Sequence, residues 1–239
     1  MICALCKSEA ELKNSHIIPE FLYKTMYDDK HRFHVLSTIP EQRNSMLQKG
    51  LSEKLLCAAC ESKLSKWERY ASLVLKGGLS LGVERSGNLV IITDIDYSKF
   101  KLFQLSILWR ASVSTLPFFK NVNLGVYEEK LRVMLVNSDA GKSNDFGCIM
   151  YGLKHEGVVT DLIVQPSRDR LNNITCYRFV YGGFQWLYMV SSQVNTKYNE
   201  AFIQPSGKAV FLVKNIFEAS FISRFGAELI RMGRLNSPD

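Results

Sequence analysis

The sequence predicts an α+β protein of two units: a metal-stapled unit over 1–76, and an antiparallel sheet with helices over 83–239. Three observations carry this. Two Cys-x-x-Cys pairs, Cys3/Cys6 and Cys57/Cys60, bracket the first unit. The glycine-rich stretch "KGGLSLG" over 76–82 then reads as a linker or turn. Beyond it, helical periodicities give way to short β-rich runs, and such a pattern packs most commonly as an antiparallel sheet with helices on one face.

The first unit opens on "CALCKSEAELKNSHIIPEF". This reads as a tight cysteine turn, a brief strand, and a helix over 20–30 that starts near Pro19, because proline suits a first helical turn. Residues 31–50 contain Pro40, Asn44 and Gly50 and read as loop. "EKLLC" is a short strand entering the second cysteine turn. From Cys60 a helix is expected to about Lys76, since Leu64, Trp67, Ala71 and Val74 or Leu75 recur at helical spacing. Glu61, Ser65 and Glu68 fall on another face, roughly one turn apart.

The second unit begins with the strand "NLVIITDI". Ser98 is the expected cap of a helix reaching Ser114, with Phe103, Ile107 and Trp109 among its apolar positions. A further helix covers about 126–136. In "FVYGGFQWLYMV" two β-rich runs flank Gly182-Gly183, the pattern of a hairpin with a two-residue turn. "VVTDLIVQP" and "KAVFLV" add strands, and "IFEASFISRFGAELIRM" is a terminal helix. "DAGKSND" contains Gly-Lys-Ser but lacks the first P-loop glycine and its strand–loop–helix setting, so it reads as a turn.

Composition narrows the class. The 239 residues are 46% hydrophobic and 11% aromatic, enough for a core without disulfides. The net charge of +7 suits a polyanionic partner, yet it is spread over both units with no long run of like charge. No apolar run approaches bilayer length, and "MICALCKSEAELK" lacks a basic flank followed by an apolar run. A cytoplasmic protein with no membrane partner is therefore expected. In a reducing compartment paired cysteines read as metal ligands before disulfides. Cys148 and Cys176 stand alone in apolar stretches and are expected to be buried thiols.

Thiolates bind zinc tetrahedrally at about 2.3 Å. Two Cys-x-x-Cys turns supply four, so Cys3, Cys6, Cys57 and Cys60 predict one structural Zn2+. A redox pair would need a thioredoxin-like βαβ setting, which neither pair has. A closed four-thiolate site leaves no open position for water. Any chemistry must come from residues between the turns.

The order C-x2-C, Ser-His-Ile-Ile-Pro, Leu-Leu-Cys-x2-Cys and helix resembles the HNH endonuclease superfamily, whose members have a ββα-metal fold. "SHIIPEF" with "LQKGLSEKLLCAACESKLSKWE" is similar to a group of uncharacterised bacterial HNH-like proteins, a likeness that extends into "FKLFQLSILWRASVS". The resemblance implies a metal-dependent nuclease acting on DNA, in bacterial defence or a mobile element. His16 would be the general base that activates water, and Mg2+ or Mn2+ would stabilise charge on the phosphate. The second unit would select the substrate or bind a protein partner.

The chain departs from the family pattern at three places. Ser15 precedes His16 where an acid or histidine is usual. Ser52, with Glu53 beside it, stands at the middle asparagine, and Glu61 stands at the last motif position. Glu61 therefore has two readings, a ligand to the catalytic cation or a carboxylate capping its helix. His16 likewise reads as a base or as a hydrogen-bonding residue inside the zinc lobe. Glu68 reads as a solvated or salt-bridged helix residue. His31 and His34 read as surface histidines, as a missing metal ligand or as phosphate contacts, and Arg43, Asn44 and Gln48 as residues lining the site. Arg110 and Arg132 read as buried ion-pair partners or phosphate contacts. The aromatics of "CYRFVYGGFQWLYMV" read as a core face or as a stacking platform for single strands. Two other functions stay open: a non-catalytic zinc-bound module that binds nucleic acid or protein, and a small-ligand sensor in the second unit.

Overall fold

The computed structural model describes residues 1–35, 44–48, 50–159, 162–191 and 196–234. Ile2 and Glu9 form an antiparallel bridge that closes the first cysteine turn. Strand β1, Leu12–His16, follows. The helix expected over 20–30 is replaced by two 3-10 turns, Glu20–Leu22 and Lys24–Met26. Tyr23 separates them at φ −138, outside the helical range, with its side chain buried. Part of the expected loop is ordered too. Strand β2, Phe33–Val35, pairs antiparallel with β3, Ser45–Leu47. Phe33 is the anchor, its ring 5.4 Å from that of Tyr23 and 5.7 Å from that of Tyr27. Strand β4, Ser52–Cys57, pairs antiparallel with β1 and places Ser52 opposite His16. Helix α1, Ala58–Leu75, starts directly from the second cysteine turn and buries Cys60, Leu64, Trp67, Ala71 and Val74.

The glycine-rich stretch turns into a hairpin of β5, Gly82–Ser86, and β6, Leu89–Thr93. Helix α2, Tyr97–Val113, is capped by Asp96, not Ser98: the Asp96 carboxylate accepts from the Lys99 amide at 3.0 Å. Every residue from Phe100 to Ala111 is buried, the signature of a helix covered on all sides. Helix α3, Val126–Asn137, packs against it. Then come β7 (Cys148–His155), β8 (Val158–Val159), β9 (Val164–Leu171), β10 (Ile174–Tyr181), β11 (Phe184–Met189) and β12 (Ala209–Asn215). Helix α4, Ser220–Arg231, ends the described chain.

Among the described residues the large sheet has eight strands in the order β5-β6-β12-β7-β11-β10-β9, with β8 beside β7. It is mixed, not antiparallel as expected: β12 inserts between β6 and β7, running against the first and parallel to the second. Helices cover both faces, not one. On one face Phe100 and Phe103 of α2 meet Trp186. On the other, Phe221, Ile222 and Phe225 of α4 pack on Leu153, Val164 and Val180. The aromatics Tyr177, Phe179, Tyr181, Trp186 and Tyr188 are buried against α2, so the alternation is a core face and not a stacking platform.

One buried cluster runs from the α1 stripe through α2 to the sheet, continuous across the 76–82 turn. The β10–β11 turn joins it. Gly182 and Gly183 take φ +59 and +76, as a two-residue hairpin turn requires. A Cβ on Gly182 would stand 2.6 Å from Leu22 of the first unit. Cys148 and Cys176 are buried thiols as expected, and burial pushes Cys176 up to about 11. No described helix is long and apolar enough to cross a membrane.

Lys101 is the anomaly of the α2 core. Its Nζ donates to the carbonyls of Ser143 at 3.2 Å and Phe146 at 3.1 Å, and among the described residues no carboxylate is bonded to it. Burial pulls its pKa down to about 8. The unfolded chain, at about 10.4, binds more protons than the folded one between these values, so this group's contribution to stability rises with pH across about 8 to 10.4. The expected amplitude is about 3 kcal/mol. Thermal melts of wild type and Lys101→Met across that range check it: the difference between the two should change with pH and flatten below about 8.

Candidate functional site

The two cysteine turns meet. Cys3, Cys6, Cys57 and Cys60 place their sulfurs within 4.8 Å of one another, Cys6 half-buried and the others buried. The Cys6 and Cys57 sulfurs are 3.8 Å apart, close to the edge of a tetrahedron with bonds of about 2.3 Å. The backbone supports the set. The Cys57 amide donates to Cys3 Sγ at 3.3 Å, and the Ala4 amide to the Leu55 carbonyl at 3.1 Å. Hydrogen bonds from Ser8, above all its backbone amide, hold the Cys6 thiol at about 6, so a thiolate is present near neutral pH. Burial pushes Cys60 well up. Donor type, spacing and support fit a metal ion such as zinc.

His16 ends β1 and Glu61 lies in the first turn of α1, and both line one cavity of about 420 Å³. Glu20, Ser65, Glu68, Arg69 and Arg110 line it as well. Two buried links hold its walls. The Ser15 hydroxyl, fully buried, donates to Glu61 Oε1 and accepts from the Leu56 amide at 3.1 Å. Arg110 crosses from α2: its Nη1 donates to the His16 carbonyl at 2.6 Å and its Nη2 pairs with Glu68 at 2.7 Å. Its Nε and Nη2 also donate to the Ser106 carbonyl and hydroxyl, each at 3.3 Å. The His16 backbone is thus pinned from both units. Its ring lies 6.3 Å from the Tyr23 ring, and no acceptor is bonded to either ring nitrogen among the described residues.

The other predicted positions separate from the cavity. Ser52 accepts from Asn14 Nδ2 at 2.9 Å. Glu53 binds the end of α2, accepting from the Ser114 hydroxyl, the Thr115 amide at 3.0 Å and the Thr115 hydroxyl at 2.6 Å. His31 stacks on Tyr27 at 3.8 Å between centroids, with its Nε2 3.7 Å from Glu20. His34 lies on β2. Asn44 donates to the Arg234 carbonyl at 2.9 Å, and Arg43 lies outside the described residues. Gln48 is exposed. Arg132 pairs with Glu129 at 2.7 Å and donates to the Leu5 carbonyl at 2.6 Å, bracing the first cysteine turn from α3. Glu68 and Arg110 are ion-pair partners, one of the two readings of each.

Glu20, Arg69 and Ser72 line the cavity without having been singled out. Ser72 was within reach, since it continues the spacing of Glu61, Ser65 and Glu68 by one turn. Glu20 carried no such signal, because it enters through the unexpected 3-10 turn.

Oxygen donors of the kind that hard cations take are present in Glu20, Glu61 and Glu68. They are not gathered, though. Among the described residues the four cysteines are the one group of three or more ligating side chains within reach of a common ion. A larger cavity of about 500 Å³ lies among β5, β6, β12 and the end of α1. It is lined mainly by apolar side chains such as Val90, Phe100 and Phe211, with Arg85 and Lys154 charged, and holds no acid–base pair. Of these two cavities, the one with His16 and Glu61 holds the imidazole and carboxylates that acid–base chemistry would use. No protein-family model, curated protein or solved structure matches the chain.

Proposed function

We propose that the chain is an HNH-like endonuclease that hydrolyses DNA phosphodiester bonds, with a structural zinc at the four cysteines and His16 as general base. One observation carries the reading. The β1–β4 ribbon and α1 are joined at the cysteine cluster, and that junction brings His16 and Glu61 to one cavity. This is the ribbon-and-helix order that the HNH resemblance implies.

In this reading the neutral His16 imidazole takes a proton from water, and the resulting hydroxide attacks phosphorus while the 3′ oxygen leaves. Arg110 holds the His16 backbone in place, and Ser15 fixes one oxygen of Glu61. Mg2+ or Mn2+, which the HNH resemblance implies, would supply charge stabilisation at the phosphate, and Glu61 would be the residue to hold it.

A second reading has its own support. Ser15 already occupies Glu61 Oε1, and Glu68 is taken by Arg110, so both carboxylates have structural partners. A zinc-bound module that binds nucleic acid or protein without cutting would keep these contacts.

His16→Ala separates the two. The nuclease reading expects plasmid cleavage in Mg2+ or Mn2+ to fall by roughly 10²–10⁴-fold, with zinc content and melting temperature near wild type. Wild-type protein that binds DNA and cuts with neither metal leaves the second reading standing. A variant that unfolds overturns the assignment of His16 as base.

A further inference from the structure

We propose that the open half of the α2 face of the sheet binds a small amphipathic anion, an apolar body ending in one carboxylate. The site lies apart from His16 and does not rest on its role.

Strand register defines the floor. Trp186 meets α2 and stands opposite Met150 of β7, so Met150, Gly152 and Lys154 share the α2 face. Gly152 pairs with Val213 of β12, which puts Phe211 on this face too. Phe211 pairs with Val90 of β6, and Val90 with Arg85 of β5. Toward β5 the helical cover runs out. Val83 is 52% exposed, and Ile92, Phe211 and Val213 are only half-buried. With Phe100 of α2 and Val74 of α1 they wall a cavity of about 500 Å³. Small-molecule sites span roughly 300–1,000 Å³.

Two features point to a ligand. The first is a gap in the floor where Gly152 has no side chain. A Cβ there would stand 3.2 Å from Val213, 3.7 Å from Phe211 and 3.8 Å from Phe184. The second is one-sided charge. Arg85 and Lys154 line the cavity, and among the described residues no Asp, Glu or His lines it. Neither cation has an ion pair or a side-chain hydrogen bond among the described residues. Glu84, the nearest acid along β5, alternates to the other face. A cationic rim with no acid beside it favours an anion over a neutral or cationic ligand. A carboxylate matches a guanidinium fork, while an apolar body gains by covering Val90 and Phe211.

Calorimetric titration of the full chain with decanoate tests the site, with decanol as the uncharged comparison. Decanoate should bind saturably at one site per chain. Decanol keeps the apolar body without the charge and should bind at least tenfold more weakly. Arg85→Gln/Lys154→Gln should weaken decanoate at least tenfold and leave decanol unchanged. Arg85 is exposed and Lys154 half-buried, so this variant should melt near wild type. Gly152→Leu should lose both ligands, because its side chain enters the floor. His16→Ala should bind decanoate as wild type does, which keeps this result apart from the nuclease question. Equal decanoate binding by wild type and the double variant overturns the proposal, as does decanol binding as tightly as decanoate. Absence of saturable binding overturns it too, and a dimer in sedimentation would then mean that a second copy of the chain covers this face.

Discussion

Replacing Cys57 by serine is expected to release the bound metal and destabilise the fold by about 3 kcal/mol or more. Cys57 closes β4 and precedes α1, so it joins the strand paired with the His16 strand to the helix that carries Glu61. Its sulfur faces Cys6 at 3.8 Å, and its amide supports Cys3 at 3.3 Å. Serine keeps the shape but offers a hard, protonated oxygen in place of a soft thiolate, a poor ligand for zinc. Cys3, Leu5, Leu12 and Leu56 are buried members of the main core, and the staple holds their segments together. For a chain of this size the loss should lower the melting temperature by roughly 10 °C. Elemental analysis should fall from about one zinc per chain to near none, and chelator treatment of wild type should reproduce the shift. Unchanged stability and a metal-free wild type would remove the staple from the account.

What the sequence disclosed follows from the range of the forces involved. The cysteine pairs were legible because metal ligation demands particular residues at particular spacing. The α1 stripe and the Gly182-Gly183 turn were legible because period and turn chemistry are local. Other features depend on partners distant in sequence. Phe33 becomes a strand residue because the Tyr23 and Tyr27 rings wait for it. β12 runs parallel to β7 because of where a later strand inserts, which no local pattern encodes. The site shows the same division. His16 and Glu61 stood out by motif position, whereas Glu53 was drawn away by Ser114 and Thr115, more than sixty positions along the chain. Asp96 displaced Ser98 as a cap by two residues, a local competition that propensity alone does not resolve.

Arg110→Met is expected to destabilise the fold by about 3 kcal/mol, because it breaks a buried ion pair by removing one partner. Arg110 is 1% exposed and Glu68 23%, so the abandoned carboxylate regains some water but not all. The His16 carbonyl also loses its donor at 2.6 Å. A merely space-filling arginine would behave otherwise, and a double-mutant cycle tells the two apart. Arg110→Met/Glu68→Leu should recover part of the loss, with a coupling of about 1–3 kcal/mol. Arg110→Lys should fall between, since one ammonium cannot reach the carbonyl and the carboxylate in the geometry of a guanidinium fork. The consequence extends past stability. Arg110 belongs to α2 while His16 and Glu68 belong to the first unit, so the pair fastens the cavity across the 76–82 turn. Wild-type protein should therefore melt in one calorimetric transition. Under conditions where Arg110→Met stays folded, the nuclease reading proposed above expects DNA cleavage to drop with zinc content intact, because His16 has lost its backbone anchor and not its metal-stapled strand. Two separate transitions in the wild type, or full cleavage by the variant, would mean that the first unit orders His16 without help from α2.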